Sequence, residues 1–117
     1  MPQKKTGAMS MQLKKLNDPA IEQLFEAILT LKTVEECYIF FEDLCTVNEI
    51  QSMSQRLEVA RMLGNGYTYN QIEAETGAST ATISRVKRCL NYGTDGYKLA
   101  LGRLGKLKDS STAGAGK

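Results

Sequence analysis

Between Thr68 and Asn91 the chain reads TYNQIEAETGASTATISRVKRCLN, and its second half sets hydroxyls and cations at spacings suited to a polyanion. Residues 78–91 hold three positive charges, Arg85, Lys87 and Arg88, and no acid. A helix turning about 100° per residue puts Ala81, Ser84, Arg85 and Arg88 on one side, with Thr80 and Lys87 on a flank. Ile83, Val86 and Leu90 then lie opposite. The outward face is small, hydroxylic and basic. Small residues at its N-terminal end allow close approach to a major groove, arginine can bridge guanine O6 and N7, and serine or threonine can bond bases or phosphates. The unopposed cations add the electrostatic attraction such a helix requires. Taken alone, three basic residues also describe the solvated face of an ordinary surface helix.

What precedes this helix decides between the two readings. Thr68 and Gln71 are spaced as a capping box for a short helix containing Ile72, and Gly77 ends it with a residue suited to the left-handed conformation. Ser79 then caps the longer helix, predicted to run to about Asn91. Two helices across a turn of about four residues containing glycine have the shape of a helix-turn-helix, with Ile72, Ile83, Val86 and Leu90 as the apolar lock. The combination favours DNA recognition over a merely solvated face.

Upstream, Asn17-Asp18-Pro19 opens a first helix striped by Ile21, Leu24, Phe25, Ile28 and Leu31. Thr33 with Glu36 is a capping box for a second, striped by Cys37, Phe40, Phe41 and Leu44. Thr46 with Glu49 launches a third through Ile50, Met53, Leu57 and Ala60 to Leu63, stopping at Gly64-Asn65-Gly66. Beyond Tyr92-Gly93, the stretch from Thr94 to about Leu107 reads as a sixth helix. The fold class expected is all-α with six helices. Residues 12–108 form the folding unit, flanked by a flexible N-terminal segment 1–11 and a flexible Ser/Gly/Ala-rich tail 109–117.

Length and composition narrow the chemistry. At 117 residues there is room for one domain. The chain has no His, which removes Ser-His and Cys-His catalytic pairs, imidazole metal ligands and an imidazole general base. Cys37, Cys45 and Cys89 form no C-x-x-C pair and are odd in number, so they read as buried thiols in a reducing cytoplasm. No metal and no cofactor is expected. No apolar run approaches membrane-spanning length, and the N-terminus lacks a signal-peptide h-region, so the chain is expected to be soluble, unexported and cytoplasmic. The net charge of +2 conceals segregation: residues 1–16 sum to +4, 17–58 to −7, 59–77 to −1 and 78–117 to +6.

DLCTVNEIQSMSQRLEVARML and IEAETGASTATISRVKRCLNYG resemble the Trp repressor superfamily, and within it the YerC/YecD group of Trp repressor-like proteins; GASTATISR is the most specific string. The resemblance spans Met11 to Leu104, about four fifths of the chain. Glu73, directly after Ile72, agrees with the charged residue the Trp repressor carries where many helix-turn-helix motifs hold a small one. The resemblance implies a Trp repressor-like fold whose outer helices interlock two subunits into a homodimer, with helices four and five projecting as reading heads. It further implies a sequence-specific DNA-binding transcriptional regulator of repressor type, reading major grooves of double-stranded DNA.

Thr80, Ala81 and Ser84 match positions that approach bases, and Tyr69, Asn70 and Thr82 match positions near DNA, although Tyr69 replaces a glutamine there. With Thr68 and Ser79 at the helix starts and the cations Arg85, Lys87 and Arg88, these make up the expected DNA-facing set. Arg56 and Arg85 match the arginines that sandwich the corepressor indole, and Thr46 matches a threonine of that pocket. A small-molecule corepressor is thus the implied effector class, with Thr46, Arg56, Arg85 and Cys89 as candidate contacts. Val86 replaces the family's glycine and Cys89 its serine, and both departures count against tryptophan itself.

Two other classes compete with the DNA reading. A helical head can serve instead as a protein-interaction adaptor of the transcription machinery. An enzymatic reading has little to stand on: Gly64-Asn65-Gly66 lacks the strand and remaining residues of a phosphate loop, and Glu42 and Asp43 read as a solvated helix face.

Overall fold

The computed structural model describes residues 15–108; segments 1–11 and 109–117, expected above to be flexible, lie outside the described residues. Among these there are six helices and no strand: α1 Pro19–Leu29, α2 Val34–Leu44, α3 Val47–Gly64, α4 Tyr69–Thr76, α5 Thr80–Tyr92 and α6 Gly96–Arg103. The chain divides into two compact units, Met1–Gln51 and Ser52–Lys117, with the division inside α3. Among the described residues no helix is long and apolar enough to cross a membrane.

Local capping chemistry places most helix starts. Asp18 accepts from the Ala20 amide at 2.9 Å, with Pro19 at the first helical position where a missing N–H leaves nothing unpaired. Thr46 and Glu49 form a complete reciprocal box, at 3.1 and 2.8 Å, as do Thr68 and Gln71 at 3.2 and 2.8 Å. At α2 the box is only half made. Thr33 accepts from the Glu36 amide, but the Glu36 carboxylate reaches one residue further back and accepts from the Lys32 amide at 2.8 Å.

The sixth helix is shorter than its expected span of Thr94 to Leu107. Asp95 precedes it in the left-handed region at φ 68° with its side chain making no cap bond, so regular helix begins only at Gly96. At the other end Gly105 turns left-handed at φ 72°, and the Lys106 amide donates back to the Leu101 carbonyl at 2.9 Å. This bond pattern closes a helix, and it releases residues 106–108 to follow another path.

Among the described residues the buried apolar side chains belong to the second unit: Val59, Ala60 and Met62 of α3, Ile72 of α4, Ala78 of the turn, Ile83, Val86 and Leu90 of α5, and Leu101 of α6. Of the expected α3 stripe, Ala60 is fully buried and Leu63 packs against the core, whereas Met53 and Leu57 nearer the N-terminus do not join it. Val59 and Met62, which the stripe does not include, turn inward beside Ala60, while Met53 and Leu57 stay exposed. In the first unit neither α1 nor α2 has a buried residue, although both carry apolar side chains.

Substitution Ile83→Ala should lower unfolding free energy by about 2–5 kcal/mol, because the fully buried side chain leaves a cavity. Gly77, at φ 73° with open space around a built Cβ, should lose about 1–2 kcal/mol on change to Ala for backbone reasons alone, and less on change to Asn. Urea denaturation of the three variants checks both magnitudes and their order.

Candidate nucleic-acid interface

The turn between α4 and α5 is held by more than its glycine. Thr76 donates its hydroxyl to the Ile72 carbonyl at 2.8 Å and accepts from the Ala78 amide at 3.1 Å, while Gln55 of α3 donates to the Thr76 carbonyl at 3.1 Å. The α4 C-terminus is thereby tied to α3, so its carbonyl does not depend on water. Nothing in the local pattern marks Gln55 for this role, since its partner lies 21 residues away.

From Ser79 onward α5 is oriented by burial. Ile83, Val86 and Leu90 are buried and fix its rotation, leaving Thr80, Ala81, Ser84, Arg85, Lys87 and Arg88 exposed. The two ion pairs among the described residues join Arg61 to Glu58 and Lys98 to Asp95, so neither engages Arg85, Lys87 or Arg88. The face expected from helical spacing is therefore presented whole, with its cations unneutralised by those pairs.

Other members of the DNA-facing set hold structural positions. The Ser79 hydroxyl accepts from the Thr82 amide at 3.1 Å and also meets the Thr82 hydroxyl at 3.1 Å, and Thr82 is half-buried. Thr68 accepts from the Gln71 amide, which commits it to capping α4. Asn70 is exposed. Tyr69 packs half-buried against the core, and the Lys87 ammonium lies 5.8 Å from its ring centroid. An exposed cation–π contact of this kind contributes about 0.5–1 kcal/mol, and it ties the flank of α5 to the start of α4.

The candidate effector residues are divided between the two units. Thr46 belongs to the first unit and its hydroxyl is the N-cap of α3, accepting from the Glu49 amide. Arg56, Arg85 and Cys89 belong to the second, with Arg56 half-buried and the other two exposed one turn apart on α5. The expectation of buried thiols is corrected: Cys37 and Cys89 are exposed, Cys45 is partly so, and all three are free. Cys37 stands on a helix with no buried residue, and Cys89 on the flank of the buried face of α5, beside Val86 but exposed.

One side chain that helical periodicity does not single out organises the edge of this region. Asn65, between Gly64 and Gly66, donates its amide to the carbonyls of Arg61 at 2.9 Å and Lys106 at 3.0 Å, and accepts from the Lys108 amide at 2.9 Å. It clips the segment after α6 onto the end of α3. One turn earlier Arg61 grips Glu58 through both carboxylate oxygens at 2.9 and 2.7 Å. That hydrogen bonding holds the Glu58 carboxyl below its ordinary value, with smaller help from the charges of Arg61 and Lys106 against a counteracting desolvation.

An all-α helix-turn-helix protein with a basic, acid-free second helix is the class these features define. The family model for the Trp repressor protein matches residues 20–105, and the chain belongs to that family, whose members are DNA-binding regulators rather than enzymes. It is 63% identical over 103 residues to the uncharacterised protein YerC of Bacillus subtilis (strain 168), covering 88% of this chain and 99% of that protein. Among solved structures, a candidate Trp repressor from Staphylococcus aureus matches with a TM-score of 0.81 at 61% identity, over 86% of this chain and all of that one. A TrpR-like protein from Eubacterium eligens ATCC 27750 matches with a TM-score of 0.78 at 60% identity, over 82% of this chain and 99% of that one. The fold is thus the Trp repressor-like one.

Because Glu58 is held low in the folded protein, its contribution to stability is present above the unfolded-state value and is lost as pH falls through the depressed folded value. Thermal melts of the wild type should decline from about pH 4 downward, and Glu58→Gln should flatten that decline while leaving the neutral-pH baseline slightly lowered.

Proposed function

We propose that this protein is a cytoplasmic, homodimeric transcriptional repressor that reads two major grooves of a pseudo-palindromic DNA site through paired α5 helices. The observation that carries the reading is the exposed face of α5, on which Thr80, Ala81, Ser84, Arg85 and Arg88 stand free of any acid opposite a fully buried lock. Affinity comes from Arg85, Lys87 and Arg88 against phosphates, and selectivity from Thr80, Ala81 and Ser84 against base edges. Tyr69 and Asn70 at the start of α4 approach the backbone, whereas Thr68, Ser79 and Thr82 contribute by holding the two helix starts in place. Paired heads enter grooves about one helical turn apart, as two-fold symmetry requires. A small-molecule corepressor acting through Thr46, Arg56, Arg85 and Cys89 belongs to this reading, and tryptophan is a poor fit for it because Val86 and Cys89 depart from the family's glycine and serine.

The dimer is supported by what the first unit leaves uncovered. Phe25 and Leu29 of α1 are 46% and 83% exposed, and Tyr38 and Ile39 of α2 are 72% and 67% exposed. Helices of 11 residues are marginal alone in water, so apolar surface of this extent needs a covering partner, and a second copy supplies one.

Genome-wide recovery of bound DNA, followed by titration of recovered fragments at increasing salt, tests the reading. Binding should weaken steeply with salt, Arg88→Ala should weaken it alike for all sequences, and Ser84→Glu should abolish it by setting a carboxylate against phosphate. Salt-independent binding, or capture of a protein partner that survives nuclease treatment and tolerates Ser84→Glu, overturns it in favour of an adaptor. Sedimentation should give a dimer for the wild type and a monomer for the Leu29→Glu/Ile39→Glu variant.

A further inference from the structure

We propose that a lysine-lined groove bordering the helix-turn-helix, built by residues 105–108 against the α3–α4 turn, is a second contact surface for the phosphate backbone of duplex DNA. The proposal rests on the DNA-binding reading above, shares Lys87 with it, and extends it to Lys98, Lys106 and Lys108, which that reading does not use.

Two adjoining depressions, about 680 and 660 Å³, share Gly66, Tyr67, Leu107 and Lys108 as common wall. Arg61, Lys106 and Lys108 line the first, and Lys87, Lys98 and Lys108 the second; no carboxylate lines either. Arg61 is engaged by Glu58, and Lys98 makes only an exposed 3.7 Å contact with Asp95. Lys87, Lys106 and Lys108 make no ion pair among the described residues, and Lys98 is scarcely neutralised. Lys87 is the link to the reading head, since it stands on the flank of α5 and over the ring of Tyr69. The positive surface therefore continues from the recognition helix past the start of α4 to the clipped segment.

That segment is held rather than trailing. Asn65 bonds both the Lys106 carbonyl and the Lys108 amide, and the Leu107 side chain packs against the core. Gly64 makes room for it: a Cβ there would stand 2.6 Å from Leu107 Cδ2. Lys106 and Lys108 thus project from a backbone tied at both positions, which reduces the ordering cost of contacting a ligand. An extended polyanion suits this arrangement better than a small anion. Small-anion sites converge several donors on one point, whereas these ammonium groups are distributed along two open depressions, and duplex DNA offers a negative charge for about every 1.7 Å of axis.

The test is fluorescence anisotropy of a mixed-sequence duplex at a series of salt concentrations, with wild type, Lys106→Ala/Lys108→Ala, Asn65→Ala and Arg88→Ala, each first checked by thermal melting. The double variant should melt like the wild type. It should bind all duplexes more weakly and reduce the slope of log affinity against log salt by about two for each protomer engaged. Asn65→Ala, which keeps both lysines but releases their backbone, should weaken binding at low salt by a smaller factor. An unchanged slope in the double variant, with a reduced slope in Arg88→Ala, overturns the groove while leaving the reading head intact. Failure of the wild type to bind duplex at low salt overturns both. Calorimetric binding of inorganic phosphate that depends on Lys106 and Lys108, with an unchanged duplex slope, also overturns the proposal by making the groove a small-anion site.

Discussion

The packing of Ile83, Val86 and Leu90 under α5 is the constraint from which the recognition surface follows. These side chains share one side of the helix and are buried with Ile72, Met62 and Val59, so the helix has no freedom to roll. Once they are inward, Ala81, Ser84, Arg85 and Arg88 stand outward. The position at Val86 shows how closely the two faces are coupled. Val86, 1% exposed, is buried in line with Ile83 and Leu90, while Arg85 directly before it is exposed. Gly77 serves the same end from outside, because only a left-handed residue brings Ser79 into place to cap α5 after so short a turn.

Much of this could be read from residue order because its causes are local. Asp18, Thr33, Thr46, Thr68 and Ser79 each accept an amide two or three residues on, and their partners lie within the same short stretch of chain. The face of α5 is legible for a similar reason, since an isolated amphipathic pattern has one solution. In α3 the pattern is ambiguous: an 18-residue helix with apolar residues on more than one side does not declare which set meets the core. Ala60 lies on the stripe that spacing picks out, but Val59 and Met62 join the core with residues of α4, α5 and α6, which the spacing of Ile50, Met53 and Leu57 cannot register. The end of α6 was hidden differently. Gly105 stops the helix through its backbone angle, and the path beyond is set by Asn65, 41 and 43 residues away from the groups it bonds.

The same distinction separates the two parts of the proposed DNA surface. Arg85, Lys87 and Arg88 announce themselves because they lie on one helix without an intervening acid. Lys106 and Lys108 are unremarkable in the sequence and become relevant only when the turn at Gly105 and the Asn65 clip bring them beside the α3–α4 turn. A basic residue acquires meaning from what holds its backbone.

Charge segregation then bears on how such a protein approaches its target. Residues 17–58 carry −7 and residues 78–117 carry +6, so a net charge of +2 says little about the field that DNA meets at short range. At physiological ionic strength the Debye length is about 8 Å, shorter than a helix of this domain, and each region therefore acts on phosphate according to its own sign. Phosphate repels the acidic segment and attracts the basic one, so the local sign of charge, and not the net value, decides which surface of the chain a duplex favours before any base is read.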